Sequence, residues 1–139
     1  MQRLLQIVLA AWAGMLWTIC GVVAPSLFKV LPERALAGEV AGHFFSVTTW
    51  VGLALGIIAL LCSTRPESRL DRLNQALLAA AAAAPALSEL VLRPIMIGAR
   101  QAGDMTKFGM LHGVSGLLFG IACVCLLIVV WRNAGRVNR

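Results

Sequence analysis

Four long apolar stretches separated by short polar breaks constrain this chain more than anything else in it. The first, LLQIVLAAWAGMLWTICGVV from Leu4 to Val23, is interrupted only by Gln6 and Thr18. About twenty helical residues rise roughly 30 Å, the thickness of a bilayer's hydrocarbon core. Charged residues make up only 13% of the chain, against about 25% in a soluble domain. The expectation is an all-α integral membrane four-helix bundle, one domain over residues 1–139, with helices over about 4–28, 32–62, 66–99 and 105–132. In lipid such helices associate by packing and hydrogen bonding rather than by escaping water.

The formal charge of +6 and pI near 10.1 could point to nucleic acid. The basic residues, however, sit between apolar segments and not along one face, so they read as topology signals and headgroup contacts, with no nucleic-acid partner. A basic start and VVA before Pro25 resemble a cleaved leader. The first apolar run outlasts the usual h-region of about 7 to 15 residues, and three more follow, so it reads as a retained span. Cys20, Cys62, Cys123 and Cys125 lie in or at the edge of apolar segments, where thiols are inert and disulfides are not expected. Cys123 and Cys125 project about 200° apart on a helix and cannot chelate one ion together.

Pro25 and Pro32 bracket a short turn, with Pro32 and Glu33 suited to the first turn of the second helix. Gly38 with Gly42, Gly52 with Gly56, and Gly116 with Gly120 have GxxxG spacing, which lets a neighbouring backbone come close, and these faces open a route to a homo-oligomer or a larger membrane complex. Thr64, Arg65, Pro66 and Glu67 read as a capping box opening the third helix. The alanine run Ala79 to Ala84 is slim enough to suit helix contact. Pro85 and Pro94 free the carbonyls of Ala81 and Leu90, so the third helix should be kinked. Asp104 is placed to cap the fourth helix.

Counting Lys and Arg by side puts seven with the termini (Arg3, Arg65, Arg69, Arg72, Arg132, Arg136, Arg139) and five with the hairpin turns (Lys29, Arg34, Arg93, Arg100, Lys107). The positive-inside rule then gives N-in and C-in topology in a bacterial inner membrane.

Residues that hydrocarbon rejects cluster between Ser88 and Gly116. At about 1.5 Å per residue, His43, Glu89 and His112 fall at nearly one depth, roughly 5 to 6 Å inside the outer boundary, level with Pro25. Glu89 and Arg93 stand at i, i+4 with the acid first, the better order for an ion pair. Pairing is the least costly way to keep both charges in a span. This outer-leaflet set of Glu89, Arg93, His112, His43 and Pro25 can be read three ways. It can be a structural ion pair with hydrogen-bonded histidines, or a small cavity where Glu89 handles a proton or cation. It can also be a b-type haem held by His43 and His112 with Arg93 or Arg100 on its propionates. A soft cation such as Cu(I) at His112, Met96, Met105 and Met110 is a further reading, since thioethers select soft metals.

APSLFKVLPERALAGEVAG in the first hairpin and FGMLHGVSGLL in the last helix are similar to the small four-helix family typified by transmembrane protein 205, many bacterial members of which are labelled a domain of unknown function. The resemblance covers nearly the whole chain. It implies four spanning helices with Pro25, Phe28, Gly38, Phe45, Arg93, His112, Gly113 and Ser115 on motif positions, and His43 off them. It also implies soft-metal or drug handling, because the animal member is associated with resistance to platinum drugs.

No paired acids, no nucleophile beside a base and no phosphate loop are visible, so no enzyme is expected. The expected role is an accessory or assembly subunit of a membrane complex. The alternatives are a factor that binds or moves a small cation or soft metal, and a haem protein. No cofactor is assigned.

Overall fold

The structure, a computed structural model, describes residues 2–63 and 70–134. Four helices in it are long and apolar enough to cross a membrane: Arg3–Val30, Arg34–Ser63, Arg72–Gln101 and Met105–Ala134. They are called here the first to fourth spans. Among the described residues there is no strand. The fold is therefore the expected all-helical one. The proposed capping box at Thr64 to Glu67 lies outside the described residues. The third span starts instead at Arg72, where the Asp71 carboxylate accepts a hydrogen bond of 2.9 Å from the Asn74 backbone N–H. Asp104 caps the fourth span as expected, accepting from the Lys107 N–H at 2.9 Å.

The second and fourth spans are uninterrupted α-helices of 30 residues each. The first and third are not. Each contains a five-residue π-helical turn, Ile19–Val23 and Ser88–Leu92. A proline, Pro25 or Pro94, then occupies the start of the helix that follows. A π turn widens the helix by one residue, and with proline it is one of the few local causes of helix irregularity. A π turn thus precedes Pro94 in the third span, for which a kink was expected, and the first span repeats the arrangement before Pro25, while Pro85 lies inside a continuing α-helix.

The principal packing is in ring order: the first and third spans each pack against both the second and the fourth. The core lies towards the end of the bundle that carries Gln2 and Ala134. It contains Leu5, Leu9, Trp12, Leu16, Leu78, Leu126 and Val129. Towards the hairpin turns it thins: nothing is buried between Trp17 and Leu31 or between Met105 and Leu118. Large apolar side chains such as Ile7, Val30, Leu61, Leu117 and Trp131 are exposed on the outside, as lipid contact requires.

Small residues decide how closely the spans approach. A Cβ built on Gly52 would lie 2.6 Å from Trp12 Nε1, and one on Gly56 would lie 3.0 Å from the same ring and 3.3 Å from Ala82 Cβ. The Gly52/Gly56 groove is therefore filled from within the chain by the first span, which corrects its reading as a face for a partner. Gly38 faces the Phe28 ring at 4.0 Å, while Gly42, Gly116 and Gly120 have nothing within 4 Å. The alanine run presents only Ala81 fully to the interior, with Ala79, Ala80 and Ala83 exposed.

Candidate functional site

The polar residues inside the spans meet at the π turn of the third span. Glu89 Oε1 accepts a hydrogen bond from the Arg93 guanidinium one turn away and another, of 2.7 Å, from the Ser46 hydroxyl on the second span. Its neighbour Ser88 is hydrogen-bonded at 2.6 Å to Ser115 on the fourth span. One turn of the third span thereby ties it to both neighbours.

The level of this layer follows from the helices. Ser46 is twelve residues into the second span and Ser115 ten into the fourth, which is roughly 18 Å and 15 Å from the hairpin end. A 30-residue span is about 45 Å long, so with about 30 Å of hydrocarbon centred on it, the layer lies roughly 8 to 10 Å below the boundary. His43 and His112 each lie three residues, about 4.5 Å, nearer that boundary.

Glu89 keeps 14% side-chain exposure and Arg93 39%. Such a gradient is what snorkelling predicts: the carboxylate stays in the layer while the guanidinium reaches towards the boundary. Glu89 Oε1 carries both hydrogen bonds, and Oε2 accepts none from any described residue. Nor is Oε2 a sealed, unpartnered atom.

The other predicted site residues fall elsewhere. His43 is exposed and stands nine residues before buried Gly52, about 900° of helical rotation, so it faces away from the interior. His112 is exposed and stacks on Phe108, with ring centroids 5.9 Å apart. A haem with both as axial ligands does not fit this arrangement. Met110 and His112 are two apart on a continuous helix and project about 200° apart. Met110 is 70% exposed and Met105 56%. Met96 is on another span, so these four residues do not share one helix face. No group of three or more His, Cys, Asp or Glu suited to a metal occurs among the described residues. Pro25 is exposed and acts on the backbone of the first span.

Sequence reasoning missed Ser46, whose only signal is a hydroxyl within an apolar helix. It also missed the contact between the thiols of Cys20 and Cys123, across the first and fourth spans. At the opposite end, Arg132 donates to Asp71 Oδ2 at 2.8 Å and to Asn74 Oδ1 at 2.9 Å, locking the fourth span to the third. Gln6 reaches the Asn133 carbonyl at 3.3 Å. Asn74 is fully buried, and its Nδ2 has no partner among the described residues. Arg132 is thus a packing residue as well as a topology signal.

Residues 7–104 match the model of a family described as "Domain of unknown function (DUF4149)". No curated protein and no solved structure matches the chain.

Proposed function

The chain belongs to that family, and because its description names no activity, we propose from the residues themselves that it is a non-enzymatic accessory or assembly subunit of a larger complex in a bacterial inner membrane. The observation that carries this reading is the glycine face of the fourth span. Gly109, Gly113, Gly116 and Gly120 recur every three or four residues, and a Cβ on any of them would meet nothing within 4 Å. By contrast, the Gly52/Gly56 groove, of the same kind, is occupied by Trp12. Glycine in an exposed helix costs about 1 kcal/mol relative to alanine. A run of open glycines is therefore best accounted for by a second helix drawn close against it, in this complex or in a homo-oligomer.

In this proposal both termini are cytoplasmic and the Glu89 layer belongs to the outer leaflet. Membership of the transmembrane protein 205-like group is part of the same proposal; Phe28 lying against Gly38, both on motif positions, supports it. The test is native electrophoresis of mildly solubilised membranes. The chain should migrate in an assembly larger than itself, and Gly116→Leu with Gly120→Leu should release it without lowering its own Tm. Migration as a monomer before any substitution overturns the reading.

A second reading has its own observation. Glu89 Oε2 is unengaged in a thinly packed part of the bundle, and an intramembrane carboxylate is a functional candidate by default. It would bind a small cation. Equal uptake or tolerance of monovalent and soft cations in wild type and Glu89→Gln would remove it.

A further inference from the structure

We infer that the chain is a tandem duplication of one two-span hairpin, and that the Glu89 site is one of two equivalent positions, whose counterpart at Cys20, Ala24 and Gly116 has no charge. The sequence carries the first sign. RLLQIVLAAWA (3–13) and RLNQALLAAAA (72–82), aligned 69 residues apart, are identical at seven of eleven positions, through Arg, Leu, Gln, Leu, Ala, Ala and Ala. The same offset carries one π turn onto the other, Ile19–Val23 onto Ser88–Leu92, and Pro25 onto Pro94. It also carries buried residue onto buried residue: Leu5 onto Asn74, Leu9 onto Leu78, Trp12 onto Ala81, Leu16 onto Pro85.

The straight spans follow at an offset of 70. Buried Thr49, Gly52, Gly56, Ala59 and Ser63 fall on buried Phe119, Ala122, Leu126, Val129 and Asn133. Bulk has changed sides between the copies. Trp12 on the first span meets Gly52 and Gly56 on the second, whereas the equivalent positions of the second hairpin hold the small Ala81 and the larger Ala122 and Leu126, all buried. Such exchange keeps the volume between spans while the residues diverge.

Two copies of a unit with an even number of spans enter the membrane from the same side, so a pseudo-two-fold axis relating them runs along the membrane normal. The ring order agrees, because rotation about that axis exchanges the first span with the third and the second with the fourth. The first–fourth and second–third interfaces are then equivalent. On the second–third interface stand Glu89 and Ser46; the offsets carry them onto Cys20 of the first span and Gly116 of the fourth, where a Cβ on Gly116 would meet nothing within 4 Å. The counterpart of Arg93 is Ala24. Ser88 and Ser115 tie spans within the second hairpin only. The charged layer is thus an asymmetric elaboration of a symmetric scaffold, and any ligand of the carboxylate meets one interface of two.

Two measurements on the full chain test this. In a variant lacking its four natural cysteines, Gln6→Cys with Asn133→Cys reports the first–fourth interface, where Gln6 touches Asn133. Gln75→Cys with Ser63→Cys is the equivalent pair on the second–third interface. A short bifunctional maleimide should cross-link both pairs to a similar extent, and a pair at 75 and 63 that fails while the other succeeds overturns the duplication. The second measurement needs no cysteine-free background. Cys20→Glu alone should lower Tm in detergent, and addition of Ala24→Arg and Gly116→Ser should recover at least half of the loss. A triple variant no more stable than the single one overturns the equivalence of the two sites.

Discussion

Replacing Gly52 with alanine sets two opposing effects against each other at one atom. The new methyl carbon would lie 2.6 Å from Trp12 Nε1, 3.3 Å from Cε2 and 3.5 Å from Cδ1, where contacts between such atoms are comfortable at about 3.5 to 4.0 Å. The indole must retreat by about 1 Å at the nearest atom. It has little room, because it is 1% exposed and its far edge already rests on Gly56. Overpacking of this kind costs about 1 to 3 kcal/mol, while alanine returns about 1 kcal/mol of helix propensity over glycine. Gly116→Ala isolates the second effect, since nothing lies within 4 Å of its Cβ. The two variants should therefore differ by about 1 to 3 kcal/mol, with Gly52→Ala the less stable. Unfolding in detergent followed by circular dichroism measures the difference. In a Trp12→Leu background the penalty should shrink towards the Gly116 value. Equal stability of Gly52→Ala and Gly116→Ala in the natural background would refute the claim that the indole fills this groove.

The remaining predictions concern the polar ties. Arg93→Ala leaves the Glu89 carboxylate without its charge partner and should cost about 2 to 4 kcal/mol, part of which Glu89→Gln recovers when added; detergent unfolding of the three variants reads this. Ser88→Ala or Ser115→Ala alone should cost about 1 kcal/mol by stranding a hydroxyl, whereas the double variant should cost less than the sum. Arg132→Ala should cost about 1 to 2 kcal/mol in the same assay, mostly by stranding buried Asn74 Oδ1. Its ion pair with Asp71 contributes little of this, because both side chains are more than a third exposed. Raising salt should accordingly change the Arg132→Ala difference only slightly.

Some of this architecture was legible in the chain because its causes are local or are imposed by lipid. Twenty apolar residues in a row can do little but span, so the four helices followed from hydropathy. The Asp104 cap acts over three residues and the Glu89–Arg93 pair over four, distances a helix fixes by itself. Ser46 was not legible. Which face of the second span turns to the third depends on the ring order, and one sequence does not encode that order in any local pattern. For the same reason the Gly52/Gly56 groove could be seen but not its occupant, Trp12 from the preceding span. The histidines share a depth but not a direction, since His43 faces away from buried Gly52. The two π turns were half visible: the prolines marked a break in the third span, but the matching break in the first emerges only when residues 3–13 are set beside 72–82.

The central claim is that Glu89 draws the second and third spans together within the bilayer. A double-mutant cycle of Ser46→Ala and Glu89→Leu, read as unfolding free energy in detergent, tests it most directly. A coupling of about 0.5 to 1.5 kcal/mol between the two positions is predicted. Losses that add within about 0.3 kcal/mol would mean that the two residues do not touch, and would contradict the account.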